Sequence, residues 1–348
     1  MLGREYDFVY LTNTPSFYKL NLCNEIAKKH PVLLVFFGYG SEAVNLQLDS
    51  SIHWQFEYVF LHNGDTHQRN KLQTFIKLYH LMSKIKCQKI LYAGWFVPEY
   101  NIYSFLSSRK KNVLICESSI FDISLSGIKG WIKRRIIKRM SAVLPSGRPH
   151  ADFFRQLGFG GQINITGGVG IFNKGQKVAK IVNDPLRYIY VGRLIDVKNV
   201  SLLIEEFNRT QKPLTIVGQG ILDQELRAQA HSNITFTGFI PNDQLGQVYQ
   251  AHDVFILPSK YEPWGLVVEE AIYWGLPVIV SDKVGCSIDM VKDLGTGCIF
   301  RSDNIDSLHQ CIEDMDKNYA VYKAAVDNVD FAKRDRDQVN AYINLLAK

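Results

Sequence analysis

Cysteine is scarce in this chain of 348 residues. The six cysteines (Cys23, Cys87, Cys116, Cys286, Cys298 and Cys311) have no Cys-x-x-Cys spacing and no paired histidine. That pattern offers no disulfide framework or zinc site and reads as buried thiols in a reducing cytosol. Long apolar runs are missing too. Residues 32–37 (Val-Leu-Leu-Val-Phe-Phe) are typical, and they stop at strand length, well short of the ~20 residues that span a bilayer. Residues 1–7 are polar and do not read as a signal peptide. No internal repeat appears beyond a two-fold α/β similarity, and no nucleic-acid-binding motif such as RNP or helix-turn-helix is present.

What remains is enough for two cores. Hydrophobic residues make up 46% of the chain, and its length suits two domains of ordinary size. Charge is divided unevenly. Residues 1–175 hold 22 Lys and Arg against 11 Asp and Glu, whereas the remainder holds 18 against 23. The basic half points to an anionic partner, either a membrane surface or an acidic acceptor.

The first half alternates strand and helix. Strands are expected at residues 6–11, 32–37, 89–93, 113–116, 143–145 and 163–165. Helices are expected at 17–29, 67–84, 99–107 and 150–157. This is the pattern of a doubly wound parallel sheet. A Gly-rich stretch over 158–175 leads to a second α/β domain that starts near Asp184, and residues 321–346 read as helical.

The densest information lies at residues 253–282. Residues 253–257 (Asp-Val-Phe-Ile-Leu) read as a buried strand that Pro258 and Ser259 end. Gly265 opens a helix to about Trp274, with Gly275 as its cap and Pro277 barring continuation. Residues 278–280 are the next strand. The first amides of a helix lack intrahelical acceptors and carry partial positive charge. The amides of Leu266 and Val267 therefore offer a phosphate site that Gly265 leaves open to close approach. Glu262 and Glu270, with seven residues between them, flank that point. Glu262 suits a sugar beyond the phosphates, and Glu270 suits ribose hydroxyls. Upstream, Arg193 and Lys198 follow a run of four β-formers at 188–191. A guanidinium and an ammonium at a strand end can neutralise a diphosphate.

These segments resemble family 4 of the retaining glycosyltransferases. The resemblance covers about residues 185–300, with motifs in the family's order: Tyr190-Val191-Gly192-Arg193-Leu194 with Lys198-Asn199, then residues 214–220 ending at Gly218-Gln219-Gly220, then residues 234–241 with Ile240, then Glu262 to Glu270. It implies the GT-B fold, two doubly wound Rossmann-like α/β domains facing a central cleft. Residues 1–175 would bind acceptor and 176–330 the nucleotide-sugar donor, with 331–348 crossing back to the first domain. It also implies retention of anomeric configuration, with Arg193, Lys198 and helix amides in place of a metal ion. No Asp-x-Asp follows a mid-domain strand, as metal-dependent GT-A enzymes require, and Asp335-Arg336-Asp337 reads as helix surface. No cofactor is expected. The sugar nucleotide is a substrate, UDP- before GDP-linked by family frequency.

The acceptor side is less defined. Residues 12–17, with Asn13 and Thr14, follow the first strand where many family members carry Gly-Gly, and either face the donor phosphate or simply cap a helix. Glu117, at a strand end, either bonds sugar hydroxyls or forms a structural ion pair. His150 resembles a recurrent subfamily position or packs at a helix start. Trp95 is a sugar-stacking platform or core. Residues 128–140 carry six cations and no acid, with Trp131, Ile132, Ile136 and Ile137 able to form an apolar stripe. This reads as an interfacial helix on anionic membrane, against a core-packed helix with a solvated basic face. The expected activity is hexosyl transfer to a glycan or lipid-linked acceptor in cell-surface polysaccharide or lipopolysaccharide synthesis, at the inner face of the cytoplasmic membrane. A GT-B sugar-nucleotide epimerase and a non-catalytic nucleic-acid-binding protein are the alternatives; the second leaves the glutamate pair unexplained.

Overall fold

Strand and helix alternate through the first half of the computed structural model, which describes residues 4–40, 53–119, 127–178 and 181–346. Residues 1–3 of the polar N-terminal stretch lie outside them. In order come β1 (Glu5–Thr12), α1 (Phe17–Ala27), β2 (Val32–Phe36), β3 (Glu57–Phe60), α2 (Lys71–Ser83), β4 (Lys86–Ala93), α3 (Pro98–Leu106), β5 (Asn112–Cys116), α4 (Gly127–Ile137), β6 (Ala142–Pro145), α5 (Arg148–Gln156) and β7 (Gln162–Ile163). The strands form one parallel sheet in the order β3-β2-β1-β4-β5-β6-β7. Val9 and Leu11 of β1 pack into the core on one face, Phe8 and Tyr10 into the core on the other. A sheet covered on both faces explains why its strands read as unbroken apolar runs rather than alternating ones.

The second half repeats the plan. β8 (Tyr188–Val191), α6 (Val200–Thr210), β9 (Leu214–Val217), α7 (Asp223–Gln229), β10 (Ile234–Gly238), α8 (Asn242–Gln250), β11 (Val254–Leu257), α9 (Leu266–Tyr273), β12 (Val278–Ser281), β13 (Gly297–Phe300) and α10 (Ile305–Asp327) follow in turn. Their parallel sheet runs β10-β9-β8-β11-β12-β13. The chain divides into one unit of Met1–Asn173 with Ala332–Lys348 and another of Lys174–Phe331. The doubly wound α/β expectation holds in both.

Two expected elements differ. The helix expected over 321–346 is the end of α10 and a separate α11 (Phe331–Ile343). The Asn328 amide folds back onto the Ala324 and Ala325 carbonyls and closes the first helix, and Asn and Asp, as in Asp327-Asn328-Val329-Asp330, favour such ends. The helix expected over 67–84 begins only at Lys71. Asn70 caps it, accepting from the Gln73 amide at 3.1 Å. Arg69 is drawn into extended backbone, where its Nε meets buried Glu99 at 2.7 Å.

α11 closes one face of the first sheet. Ala341, Tyr342 and Leu345 pack with Phe8, Tyr10 and Leu20, and the Asn164 side chain donates to the Ala341 carbonyl at 3.1 Å. Truncating a buried aromatic of this size costs about 3–5 kcal/mol. Tyr342→Ala is expected to lower stability by that amount and to speed amide exchange in β1 and α1, leaving β8 to β12 unchanged. Hydrogen exchange read by mass spectrometry checks both parts.

Candidate functional site

Strand order in the second sheet places the site. The sheet grows one way through β9 and β10 and the other way through β12 and β13. The direction reverses between β8 and β11, and connections leaving that pair diverge to open a crevice at the carboxyl ends. β8 delivers Gly192 and Arg193 there, and a 3-10 turn (Asp196–Lys198) delivers Lys198. β11 delivers the loop 258–264 and then α9. The two sides meet: Lys198 Nζ donates to Glu262 Oε2, with the side chains only 13% and 14% exposed. Arg193 is exposed, and its carbonyl accepts from Tyr190 Oη at 2.9 Å.

Both partners are held by backbone. The Glu262 amide donates to the Lys283 carbonyl at 3.1 Å, and its carbonyl accepts from the Gly285 amide at 2.9 Å, so the loop after β12 fixes the carboxylate's stem. Lys198 precedes Asn199, a residue at φ +56° whose side chain donates to the Pro258 and Ser302 carbonyls, each at 3.3 Å. Gly265 has φ +98°, and a Cβ there would stand 3.0 Å from Val284 Cγ1. Only glycine enters the helix at this angle without strain.

Inside α9, Glu269 and Glu270 are both buried. The indole of buried Trp264 donates to Glu269. Glu270 faces Tyr249, whose hydroxyl lies 3.5 Å from Oε2. Burial, with adjacent Glu269 adding repulsion, pushes Glu270 from 4.5 up to about 8. Sequence reasoning singled out Glu270 and passed over Glu269. The signal available for it was Trp264, five residues earlier, whose indole N–H requires an acceptor once buried.

Gly192 and Gly218 serve close approach. Gly218 has φ +134°, and a Cβ on it would fall 1.9 Å from the Gly192 carbonyl oxygen. Ile240 follows β10 and is half-buried, as are Leu266 and Val267 in the first turn of α9.

In the first unit the strand order reverses between β1 and β4. Asn13 and Thr14 leave β1, Trp95 leaves β4, and Glu117 leaves β5. All four therefore stand at carboxyl ends of strands. Ser16 occupies the cap position of α1 in extended backbone; its side chain makes no cap bond to the helix, while its carbonyl accepts from the Lys19 and Leu20 amides, each at 3.0 Å. Trp95 packs against the core, 6.1 Å from the Phe154 ring, and His150, third residue of α5, is fully buried. Glu117 lies 4.0 Å from Lys19 Nζ. Burial opposes the Lys19 charge, but Tyr18 and Glu117 outweigh it and hold the pKa above its ordinary value. Lys19, in the first turn of α1, was not foreseen.

The basic stretch 128–140 lies largely in α4. The expected stripe divides: Ile136 and Ile137 are core, whereas Ile128, Trp131 and Ile132 are exposed. Arg139 is tied to the Ser104 and Ser107 carbonyls at 3.2 and 2.9 Å, so it serves the fold. Among the described residues no helix is long and apolar enough to cross a membrane.

Two expectations follow from this geometry. Arg193→Ala and Lys198→Ala should each weaken nucleoside diphosphate binding by about 1.5–3 kcal/mol, the worth of a charged hydrogen bond, as read by titration calorimetry. Glu270 keeps its proton in the folded state after the unfolded chain has lost it. Its contribution to stability therefore falls as pH rises from 4.5 toward about 8. Glu270→Gln should raise the ligand-free melting temperature at pH 8 more than at pH 5 while weakening nucleoside diphosphate binding.

Residues 172–330 match the family described as glycosyl transferases group 1. An uncharacterized glycosyltransferase of Methanocaldococcus jannaschii is 29% identical over 164 residues, 44% of this chain and 41% of that protein. The matched region spans less than half the length of the first curated relatives. Solved structures are similar over nearly the whole chain. The lipopolysaccharide outer core galactosyltransferase WaaB, in apo form, has a TM-score of 0.72 at 15% identity, covering 98% of this chain and 99% of that one. Anabaena HepE in complex with UDP-glucose has a TM-score of 0.65 at 17% identity, covering 98% of each. The family match is confined to residues 172–330, and the two doubly wound sheets of the chain are those of the GT-B fold.

Proposed function

We propose that this protein moves a hexose-type sugar from a nucleotide sugar, a UDP-sugar before a GDP-sugar, to a glycan or lipid-linked acceptor with retention of configuration. The observation that carries this reading is the Lys198–Glu262 pair beside the N-terminus of α9, at the strand-order reversal of the second sheet. The diphosphate would lie against Arg193, Lys198 and the Leu266 and Val267 amides, which offset the charge that develops on it as the sugar departs. Glu270, deprotonated, would accept the ribose hydroxyls, with Gly192, Gly218 and Ile240 bounding the nucleoside. Glu262 holds the donor sugar and is not a covalent nucleophile.

In the transfer step the acceptor oxygen attacks the anomeric carbon from the face the diphosphate leaves. The new C–O bond forms as the C–O bond to phosphate breaks, its electron pair leaves with the diphosphate, and a diphosphate oxygen takes the acceptor's proton. No metal or further cofactor is required, because fixed cations and amides do that work. Asn13, Thr14 and Glu117 serve the acceptor side; Glu117, beside Lys19, bonds acceptor or donor hydroxyls. Cell-surface polysaccharide or lipopolysaccharide synthesis suits the likeness to the lipopolysaccharide galactosyltransferase WaaB, and HepE is a structural relative with UDP-glucose bound. The protein would work at the cytoplasmic face of the membrane, its basic α4 toward anionic lipid.

Glu262→Gln should cut transfer by at least about a hundredfold, the scale of losing a group that acts in the transition state. UDP affinity should hold or rise, because Lys198 loses its internal partner. A panel of UDP- and GDP-sugars screened by thermal shift selects the donor for that assay. Near-normal transfer by the variant, or a wild type that EDTA silences, would overturn the assignment.

A further inference from the structure

Between α3 and α4 of the first unit runs a groove of about 590 Å³. Trp95, Phe96, Ile102, Phe105, Trp131 and Ile132 line it, and all but Trp95 are exposed, from 45% at Ile132 to 80% at Phe96. Five large apolar side chains facing water in one trough form a patch that soluble surfaces seldom keep without a use.

The rim is cationic. Lys129, Arg134 and Arg135 are exposed on α4 and Lys138 just after it, and the Arg135 guanidinium carbon sits 5.0 Å from the Trp131 ring centroid. The 3-10 turn Arg109–Lys111 abuts the chain just after α4, with Arg109 Nε donating to the Met140 carbonyl at 3.2 Å. Neither segment contains an acid. The single acid of α3, Glu99, is buried against Arg69 at 2.7 Å. A second copy of this chain would bring the same positive rim and be repelled. A trough that takes hydrocarbon and a rim that takes negative charge match the two ends of one molecule.

We propose that this groove receives an acyl chain of an anionic phospholipid from the bilayer, so that docking combines insertion at the α3–α4 trough with attraction along α4. The proposal rests on α4 as the membrane side and is independent of the sugar chemistry. It also assigns Trp95 to the floor of a lipid groove, where it packs on the core.

The test uses the full chain with vesicles of phosphatidylcholine alone and of phosphatidylcholine with phosphatidylglycerol. Wild type should bind the second kind, and high salt should leave a bound fraction, because insertion is not screened as the cations are. Acyl chains carrying bromine should quench its tryptophan fluorescence, less so in Trp131→Phe. The exposed pair Phe96→Ser with Ile102→Ser should keep the melting temperature and the low-salt attraction but lose the salt-resistant fraction. Its partition at high salt should fall at least about tenfold, as for two apolar side chains removed from a buried contact. Lys129→Gln with Arg134→Gln and Lys138→Gln should lose the low-salt attraction and leave the fold intact, since Arg139 is spared. Salt-sensitive binding without quenching would overturn the groove and leave α4 on the membrane. No binding of wild type at low salt would overturn both, and leave the sugar chemistry standing. A concentration-dependent dimer that the Phe96 and Ile102 changes dissolve would give the groove to a second copy instead.

Discussion

Everything at the candidate site depends on the backbone of Glu262 being fixed from both sides. Its amide and carbonyl are taken by Lys283 and Gly285, in the loop after β12. Its carboxylate is taken by Lys198, from the turn after β8. Three strand ends of one sheet are thus laced together at a single residue. Asn199 reinforces the lacing by reaching the Pro258 and Ser302 carbonyls. Loops are ordinarily the least constrained parts of an α/β unit. Here the Lys260 and Glu262 amides of the loop 258–264 donate to the Val197 and Lys283 carbonyls and its Trp264 carbonyl accepts from the Cys286 amide, and that leaves α9 entering at one angle, with Gly265 at φ +98°.

The same lacing raises a cost inside α9. Two adjacent carboxylates are buried there, and they are treated differently. Glu269 has the Trp264 indole as donor. Among the described residues Glu270 has a long contact with the Tyr249 hydroxyl as its hydrogen bond, and burial holds its proton on to about pH 8. A buried carboxyl without strong donors is costly once charged. A ligand that supplies two hydroxyl donors removes that cost on binding, so affinity and proton release become linked at this residue.

The second unit's half of the candidate site was legible in the sequence because its constraints are local. Glu262, Gly265, Leu266, Val267 and Glu270 lie within nine residues, and Arg193 and Lys198 follow one strand directly. Residues whose meaning depends on distant partners were not legible. Lys19 matters for its distance to Glu117, and Glu269 for its indole donor. The strands β3 and β13 lie at sheet edges, where burial on fewer sides leaves a weaker apolar signal. The helix break at Arg69 comes from a buried partner, Glu99, thirty residues away. The break after Asp327 coincides with passage of the chain from one compact unit to the other, which no local propensity records.

α4 shows why a helical period alone could not decide between core and surface. Two consecutive isoleucines, Ile136 and Ile137, enter the core, while Ile128, Trp131 and Ile132, one to two turns earlier, do not. An apolar stripe drawn through Ile128, Ile132 and Ile136 is continuous on a helical wheel, yet only its C-terminal residue enters the core. What separates the two ends is α3, which packs beside α4 and leaves a trough between them. Arg139 belongs to the buried end by its bonds to the end of α3, although by charge it looks like one of the surface cations. A single segment therefore carries structural and exposed residues under one composition. Its exposed portion is defined by what the neighbouring helix fails to cover, which is why substitutions that probe the surface must spare Arg139, Ile136 and Ile137.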